Sequence, residues 1–165
     1  MKGLESGVYK SEPIDVNARN QTSLWISPIE PGILAGIRVL ALDDQPDARE
    51  LVKAALEEYG AHVVTAESAD AALAFLAREL PNVIVSDIGM PNKDGFHFIK
   101  ALRTLSPERG GSIPAVDLTA FARSEDRIHA LQVGYQMHIH KPVEPNELVA
   151  VVASLVNRKS TADEG

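Results

Sequence analysis

The sequence contains no cysteine, and this absence removes several kinds of site at once. Disulfide bonds, thiolate zinc sites and cysteine nucleophiles are all excluded. Positive charge is also in the minority, because 16 Lys and Arg residues stand against 23 Asp and Glu, for a formal net charge of -7. A nucleic-acid surface needs a basic face to meet the phosphate backbone, so we expect this chain not to bind nucleic acid.

Long apolar runs are absent as well. No stretch approaches the ~20 apolar residues of a membrane-spanning helix, and the residues after Met1 lack the apolar core of a secretory signal. We therefore expect a cytoplasmic protein without membrane contact. With 165 residues, 45% of them hydrophobic, the chain is long enough for one well-buried domain.

The hydrophobic pattern divides the chain into three parts. Residues 1–35 show no sustained period and scatter Pro, Gly, Asn and Ser among isolated apolar residues, which predicts an N-terminal extension or linker. Residues 36–157 alternate short apolar runs with helical periods and are predicted to form the folded domain. The polar residues 158–165 are predicted to be a flexible C-terminal tail.

Five short apolar runs within the predicted domain indicate β-strands, and a helical period follows each of them. The predicted strands are residues 38–42, 62–66, 82–88, 113–118 and 135–139. Strands that alternate with helices form right-handed crossovers and a parallel sheet covered on both faces. The expected fold class is therefore α/β, a doubly wound five-stranded parallel sheet with five helices.

Polar side chains stand where four of these strands end. In open parallel sheets, ligands bind just beyond the carboxyl ends of the strands. We therefore expect three carboxylates, one hydroxyl and one ammonium group to converge there: Asp43, Asp44, Asp87, Thr119 and Lys141.

A magnesium ion would explain the acidic residues. Asp43 and Asp44 alone could be a helix-start cluster, since acids favour the first turn of a helix. Asp87 does not fit that explanation, because it ends a nearly all-apolar strand and would be repelled by the other two. Oxygen-only ligands with room for water favour Mg²⁺ over Ca²⁺. Mg²⁺ beside a carboxylate and a lysine is an arrangement suited to phosphoryl transfer, with an Asp oxygen as nucleophile.

Four segments containing these residues give the chain a family resemblance: "ALDDQPDAR", "SDIGMPNKDG", "LTAFA" and "HKPVEP". From about Arg38 to Val156 the chain resembles the response-regulator receiver domains of two-component signalling, and its "HKPVEP" ending is similar in style to receivers of hybrid histidine kinases. The resemblance implies a flavodoxin-like fold with strand order 2-1-3-4-5 and a cis peptide bond between Lys141 and Pro142.

The resemblance also implies the function. Asp87 would accept a phosphoryl group from phosphohistidine, and Thr119 and Lys141 would contact the phosphoryl oxygens. The protein would be a signalling switch rather than an enzyme, catalysing only its own phosphorylation and dephosphorylation. Its partners would be a histidine kinase or histidine phosphotransfer protein and an unknown downstream protein, with homodimerisation as a further option.

A ligand set for Mg²⁺ follows from the same resemblance. Asp44, Asp87 and the backbone carbonyl of Gly89 would bind the ion directly, and Asp43 would act largely through water. Gln45 stands where many receivers have a third acid. Because that position is not a direct ligand, we expect Mg²⁺ binding to be retained.

Two histidines precede Lys141 on the fifth predicted strand. His138 occupies the position at which receivers usually carry an aromatic residue that turns inward when Thr119 moves to the phosphoryl group, so we predict that His138 and Thr119 form the switch. Asp117 is a carboxylate in an apolar strand and would be neutralised or paired. One hypothesis is an ion pair between Asp117 and His140, and the alternative is that His140 is a packing residue. A zinc site at His138 and His140 is a further alternative, with Asp117 as third ligand in the absence of cysteine.

Two other functions stay open from the sequence alone. A degenerate receiver would be a phosphorylation-independent interaction module, and an aspartyl-phosphate phosphohydrolase would use a similar sheet. The phosphohydrolases resemble D-x-D-x-[TV] after the first strand, which "DDQPD" does not match. No output domain follows the last predicted helix, so we expect either a single-domain regulator or the receiver end of a hybrid kinase.

Overall fold

The computed structural model describes residues 29–90, 94–120 and 124–164, so most of the predicted N-terminal extension lies outside it. The strands described are β1 (Arg38–Leu42), β2 (His62–Ala66), β3 (Val83–Asp87), β4 (Ala115–Thr119) and β5 (Met137–His140). They pair in parallel as one sheet in the order β2-β1-β3-β4-β5. The predicted doubly wound α/β fold with strand order 2-1-3-4-5 is confirmed.

Helices alternate with the strands: α1 (Pro46–Glu57), α2 (Ala69–Leu76), α3 (Asp94–Arg103), α4 (Ser124–Val133) and α5 (Pro145–Glu164). Ser68 caps α2, because its hydroxyl accepts a hydrogen bond from the Ala71 N–H at 3.1 Å. The backbone of residues 158–164, predicted as a flexible tail, continues α5. None of the described helices is long and apolar enough to cross a membrane.

Alternate residues of each strand face opposite sides of the sheet and bury two apolar layers. Leu40, Leu42 and Ile84 face α2 and α3. Phe98 and Leu102 of α3 are fully buried in the same cluster. Helices α1 and α5 contact each other and cover the opposite face. Each fully buried side chain of this size stabilises the fold by roughly 2 kcal/mol. Leu34, which lies within the predicted N-terminal extension, is also fully buried.

The start of α3 lies directly behind the end of β3. A Cβ atom built on Gly95 would be 2.5 Å from both the backbone oxygen of Asp87 and the Cα of Ile88, so only glycine fits without movement of the backbone. The Tyr135 hydroxyl donates to the Gly95 carbonyl at 2.9 Å. These contacts fix the position of the strand end that carries Asp87.

Arg103, in the last turn of α3, connects the loops at the amino ends of β4 and β5. Its guanidinium donates to the carbonyl of Gly134 from two nitrogens, at 3.0 and 2.7 Å. It also donates to the carbonyls of Gly111 and Ile113, at 3.1 and 2.6 Å, and to the Gln136 side chain at 3.1 Å. One planar side chain therefore holds the backbone before β4 and before β5.

Candidate functional site

Three carboxylates meet at the carboxyl end of the sheet. Asp43 and Asp44 follow β1 and Asp87 ends β3, and these two strands are hydrogen-bonded neighbours. Each side chain offers one oxygen such that the three oxygens lie within 4.8 Å of one another. Asp43 and Asp87 are buried, with 2% and 5% of their surface exposed, whereas Asp44 is half-buried. The cluster is thus closed on one side and reaches solvent on the other.

Lys141 reaches this cluster from the segment after β5. Its Nζ atom lies 3.2 Å from Asp87 Oδ2 and 3.4 Å from Asp43 Oδ2. Burial lowers the pKa of Lys141, but the attraction of Asp87 and Asp43 outweighs burial and the pKa is raised overall. The peptide bond between Lys141 and Pro142 is cis, as predicted. Lys141 is therefore a firmly protonated ammonium group between two buried carboxylates.

The negative charge of the cluster exceeds what Lys141 can neutralise. Burial raises the pKa of Asp43, and the hydrogen bond from the Gln45 N–H at 2.9 Å opposes that rise while Asp87 adds to it. Three carboxylates beside one ammonium group leave a formal charge of about -2. An all-oxygen donor set that is open to water on one side fits Mg²⁺, which keeps several water ligands when it binds to proteins.

The other oxygen of Asp87 is held by the loop that follows the strand. Oδ1 accepts a hydrogen bond from the Gly89 N–H at 2.8 Å, while Oδ2 faces Lys141. Arg49 on α1 donates to the backbone carbonyl of Asp43 at 2.8 Å and ties the start of α1 to the end of β1. The carboxylates of Asp43 and Asp87 each accept a hydrogen bond from a backbone N–H, of Gln45 and Gly89 respectively, which limits their rotation.

Thr119 ends β4 at the same edge and is fully buried. Its carbonyl accepts a hydrogen bond from the Lys141 N–H at 2.8 Å, so the residue after β5 is attached to the end of β4. All five polar residues predicted from the strand ends are brought to one edge of the sheet.

The hypothesis that Asp117 pairs with His140 is wrong. Asp117 lies opposite His138 in the strand register, and its Oδ2 atom is 2.6 Å from His138 Nδ1. His140 lies opposite Thr119 and is exposed, and its ring makes an edge contact with that of His138, with centroids 5.7 Å apart. Residues opposite each other on adjacent strands share a face, so the register selects His138.

The zinc alternative gains no support. Within the described residues, the group of three or more acidic or histidine side chains close enough to hold a metal is the cluster of Asp43, Asp44 and Asp87. Both Asp117 and His138 are unusual residues in the sequence, but the contact between them was not predicted. A register derived from the strand ends would have been the signal.

Comparison with known proteins agrees with this geometry. The family model described as the response regulator receiver domain matches residues 39–153. The chain is 46% identical over 119 residues to an uncharacterised 14.6 kDa protein of Leptolyngbya boryana, a match covering 72% of this chain and 89% of that protein. Among solved structures, the chemotaxis response regulator CheY4 of Vibrio cholerae shares 31% identity with a TM-score of 0.66, over 72% of this chain and 98% of CheY4.

Longer regulators match as well. The chain is 38% identical over 123 residues to the phosphate regulon transcriptional regulatory protein PhoB of Escherichia coli, a match covering 74% of this chain and 53% of PhoB. The chain thus spans about half the length of that relative. The family match covers the acidic cluster and all five strands except Arg38, the first residue of β1. The chain therefore belongs to the response regulator receiver domain family of two-component signalling.

Proposed function

We propose that this receiver accepts a phosphoryl group on Asp87, with Mg²⁺ bound, and uses it to switch a protein-interaction face in the cytoplasm. The observation that supports this function best is the environment of the Asp87 carboxylate. One oxygen faces the Lys141 ammonium group at 3.2 Å and the other is held by the Gly89 N–H at 2.8 Å, inside a cluster of three carboxylates. A positive charge and a backbone N–H around a fixed carboxylate suit phosphoryl transfer.

The chemistry is a displacement at phosphorus. An oxygen of Asp87 forms the new O–P bond as the P–N bond of a phosphohistidine breaks. The electron pair of that bond stays on the donor ring, which carries a proton on its other nitrogen and therefore leaves as neutral imidazole. Lys141 lies beside Asp87 Oδ2, so it would neutralise charge on the transferred oxygens. The Thr119 hydroxyl, at the end of the adjacent β4, would donate a hydrogen bond to the same oxygens.

The acidic cluster provides the ligands for Mg²⁺. Asp44, Asp87 and the carbonyl of Gly89 would bind the ion directly, and Asp43 would act largely through water. When bound, the ion would supply positive charge that, with Lys141, offsets the negative charge of the transferred oxygens. Three carboxylate oxygens within 4.8 Å of one another, beside the single ammonium group of Lys141, are the observation that favours a cation there. Burial is the main cause of the raised pKa of Asp43, and the charge of Asp87 adds to it.

The partners that follow from this function are proteins. The donor would be a histidine kinase or a histidine phosphotransfer protein, and a downstream protein, or a second copy of this chain, would read the switched face. PhoB is named as a transcriptional regulator, but this chain matches 53% of its length and carries a formal charge of -7. We infer protein contacts, because an acidic surface repels nucleic acid.

Incubation with acetyl phosphate and Mg²⁺, followed by intact mass measurement, tests the proposal. The wild-type chain should gain one phosphoryl group, and the gain should disappear on chelation of Mg²⁺ and in Asp87→Ala. Asp70→Ala is the matched control, because Asp70 is an exposed acid in the first turn of α2. No gain from acetyl phosphate or from a phosphorylated kinase would reject phosphorylation and favour the degenerate receiver.

A further inference from the structure

A buried polar pair lies beside the candidate site without being part of it. Asp117 is fully buried in the middle of β4, and 11% of the His138 side chain is exposed. Asp117 Oδ2 and His138 Nδ1 are 2.6 Å apart, which is the separation of a strong, charge-assisted hydrogen bond. In the described part of the chain, Asp117 Oδ1 makes no hydrogen bond to another residue. The carboxylate therefore depends on His138.

Asp117 and His138 lie on the same strands as the candidate site or next to them, a short distance before the strand ends. Ser86, Asp117 and His138 are register partners on β3, β4 and β5 and form one row across the sheet. This row lies one residue before Asp87 on β3 and two residues before Thr119 on β4. A shift of the His138 ring therefore occurs next to the two strand ends that carry those residues.

The hydrogen bond determines where the ring lies. If His138 turned outward, the Asp117 carboxylate would remain buried with no side-chain partner, and a buried unsatisfied charged group is costly. That cost corresponds to a factor of about ten or more in the equilibrium between the inward and outward ring positions. Apolar packing alone would not impose such a preference, because the ring of a histidine can also be hydrated.

We propose that Asp117 is a positioning residue for the switch: it accepts a hydrogen bond from His138 Nδ1 and holds the ring inward, the orientation expected when Asp87 is phosphorylated. The assignment rests on the proposed phosphoacceptor function. It goes beyond that function because it places the bias of the switch in a residue that contacts neither the phosphoryl group nor the metal.

The charges around the pair are consistent with this role. Burial raises the pKa of Asp117 to about 6, although the charge and hydrogen bond of His138 act in the opposite direction. Asp87 from β3 also raises the pKa of Asp117, Tyr135 in the segment before β5 is a buried group on which the charge of Asp117 acts, and His140 lies at the edge of the His138 ring. Helix α4 contacts β5 and contributes the buried Ala130. Above about pH 6 the hydrogen bond is therefore made by an ionised Asp117.

A double-mutant cycle with beryllofluoride, a mimic of the phosphoryl group, tests the assignment. The full chain with Mg²⁺ is titrated with beryllofluoride as wild type, Asp117→Ala, His138→Ala and the double variant. Each single variant should bind about tenfold more weakly, and the double variant no more weakly than either single one, because both remove the same interaction. His62→Ala is the control, since His62 is exposed at the start of β2.

Two further measurements distinguish positioning of the switch from a purely structural role of Asp117. They are the ¹⁵N resonances of the His138 ring and the pH dependence of the beryllofluoride affinity. The His138 Nδ1 signal of a charge-assisted hydrogen bond should be present in the wild type and lost in Asp117→Ala. Asp117→Asn keeps the shape should the alanine variant not fold. The ratio of wild-type to Asp117→Asn affinity should fall towards one between about pH 8 and pH 5, because the wild-type carboxyl then becomes neutral.

Two outcomes would overturn the assignment. Additive losses in the cycle would show that Asp117 and His138 act separately. Unchanged beryllofluoride affinity in Asp117→Ala and Asp117→Asn, with lower stability alone, would make Asp117 a packing residue. A wild-type chain that does not bind beryllofluoride would instead reject the proposed function, which is a distinguishable result.

Discussion

For the substitution Gly95→Ala, helix propensity and packing predict changes in stability of opposite sign. Gly95 lies in the first turn of α3, and replacing a helical glycine with alanine ordinarily adds up to about 1 kcal/mol of stability. Here the new Cβ would be 2.5 Å from the Asp87 backbone oxygen and 2.5 Å from the Ile88 Cα. Those atoms are backbone, so no side chain can rotate away to relieve the contact.

The net change in the stability of Gly95→Ala is the packing cost less the propensity gain. Overpacking against a rigid neighbour costs roughly 1–3 kcal/mol, and two contacts about 1 Å shorter than van der Waals separation place this site at the upper end. Subtracting the propensity gain leaves a loss of about 2 kcal/mol. The displaced atoms belong to the strand end that carries Asp87, so the affinity for beryllofluoride should fall as well.

Urea unfolding of Gly95→Ala and of Gly32→Ala measures the difference. An added Cβ on Gly32 would meet no atom within 4 Å, so that control should stay within about 0.5 kcal/mol of the wild type. A stability of Gly95→Ala that is higher than wild type by about 1 kcal/mol would refute the reasoning, because propensity would then have decided the sign. Unchanged beryllofluoride affinity in a destabilised variant would show that the strand end does not move.

The remaining predictions concern the metal, the loops and pH. Mg²⁺ at ten times its Kd should raise the free energy of unfolding by about 1.4 kcal/mol, and Asp44→Asn should remove that gain in calorimetry; an equal gain in both proteins would place the ion elsewhere. Arg103→Ala should lose about 2–3 kcal/mol in urea unfolding and Arg103→Lys should restore less than half, because a lysine lacks the planar fork; full restoration by lysine would contradict this. Burial raises the pKa of Asp117 from 3.8 to about 6, so the stability of the wild type minus that of Asp117→Asn should decrease as pH rises through this interval, and an increase would show that burial does not dominate.

The strands could be predicted because their signal is local. The predicted bounds of β1 and β2 coincide with the observed ones, since each is a short apolar run that ends at polar residues. The end of α5 could not be predicted in the same way. Residues 158–164 continue the helix although their pattern is polar. A polar pattern indicates that a segment has no buried face, but it does not exclude helical backbone.

The site could be predicted from strand ends, but the partner of Asp117 required the register. The Lys141 N–H binds the Thr119 carbonyl, so the register partner of Thr119 is His140 and that of Asp117, two residues earlier, is His138. Pairing Asp117 with His140 amounts to a slip of two residues. A slip of one residue reverses which face each side chain occupies, and the hydrophobic pattern would expose it. A slip of two residues preserves both faces, so the hydrophobic pattern cannot reveal it, and the register has to come from the aligned strand ends or from the hydrogen bond between Lys141 and Thr119.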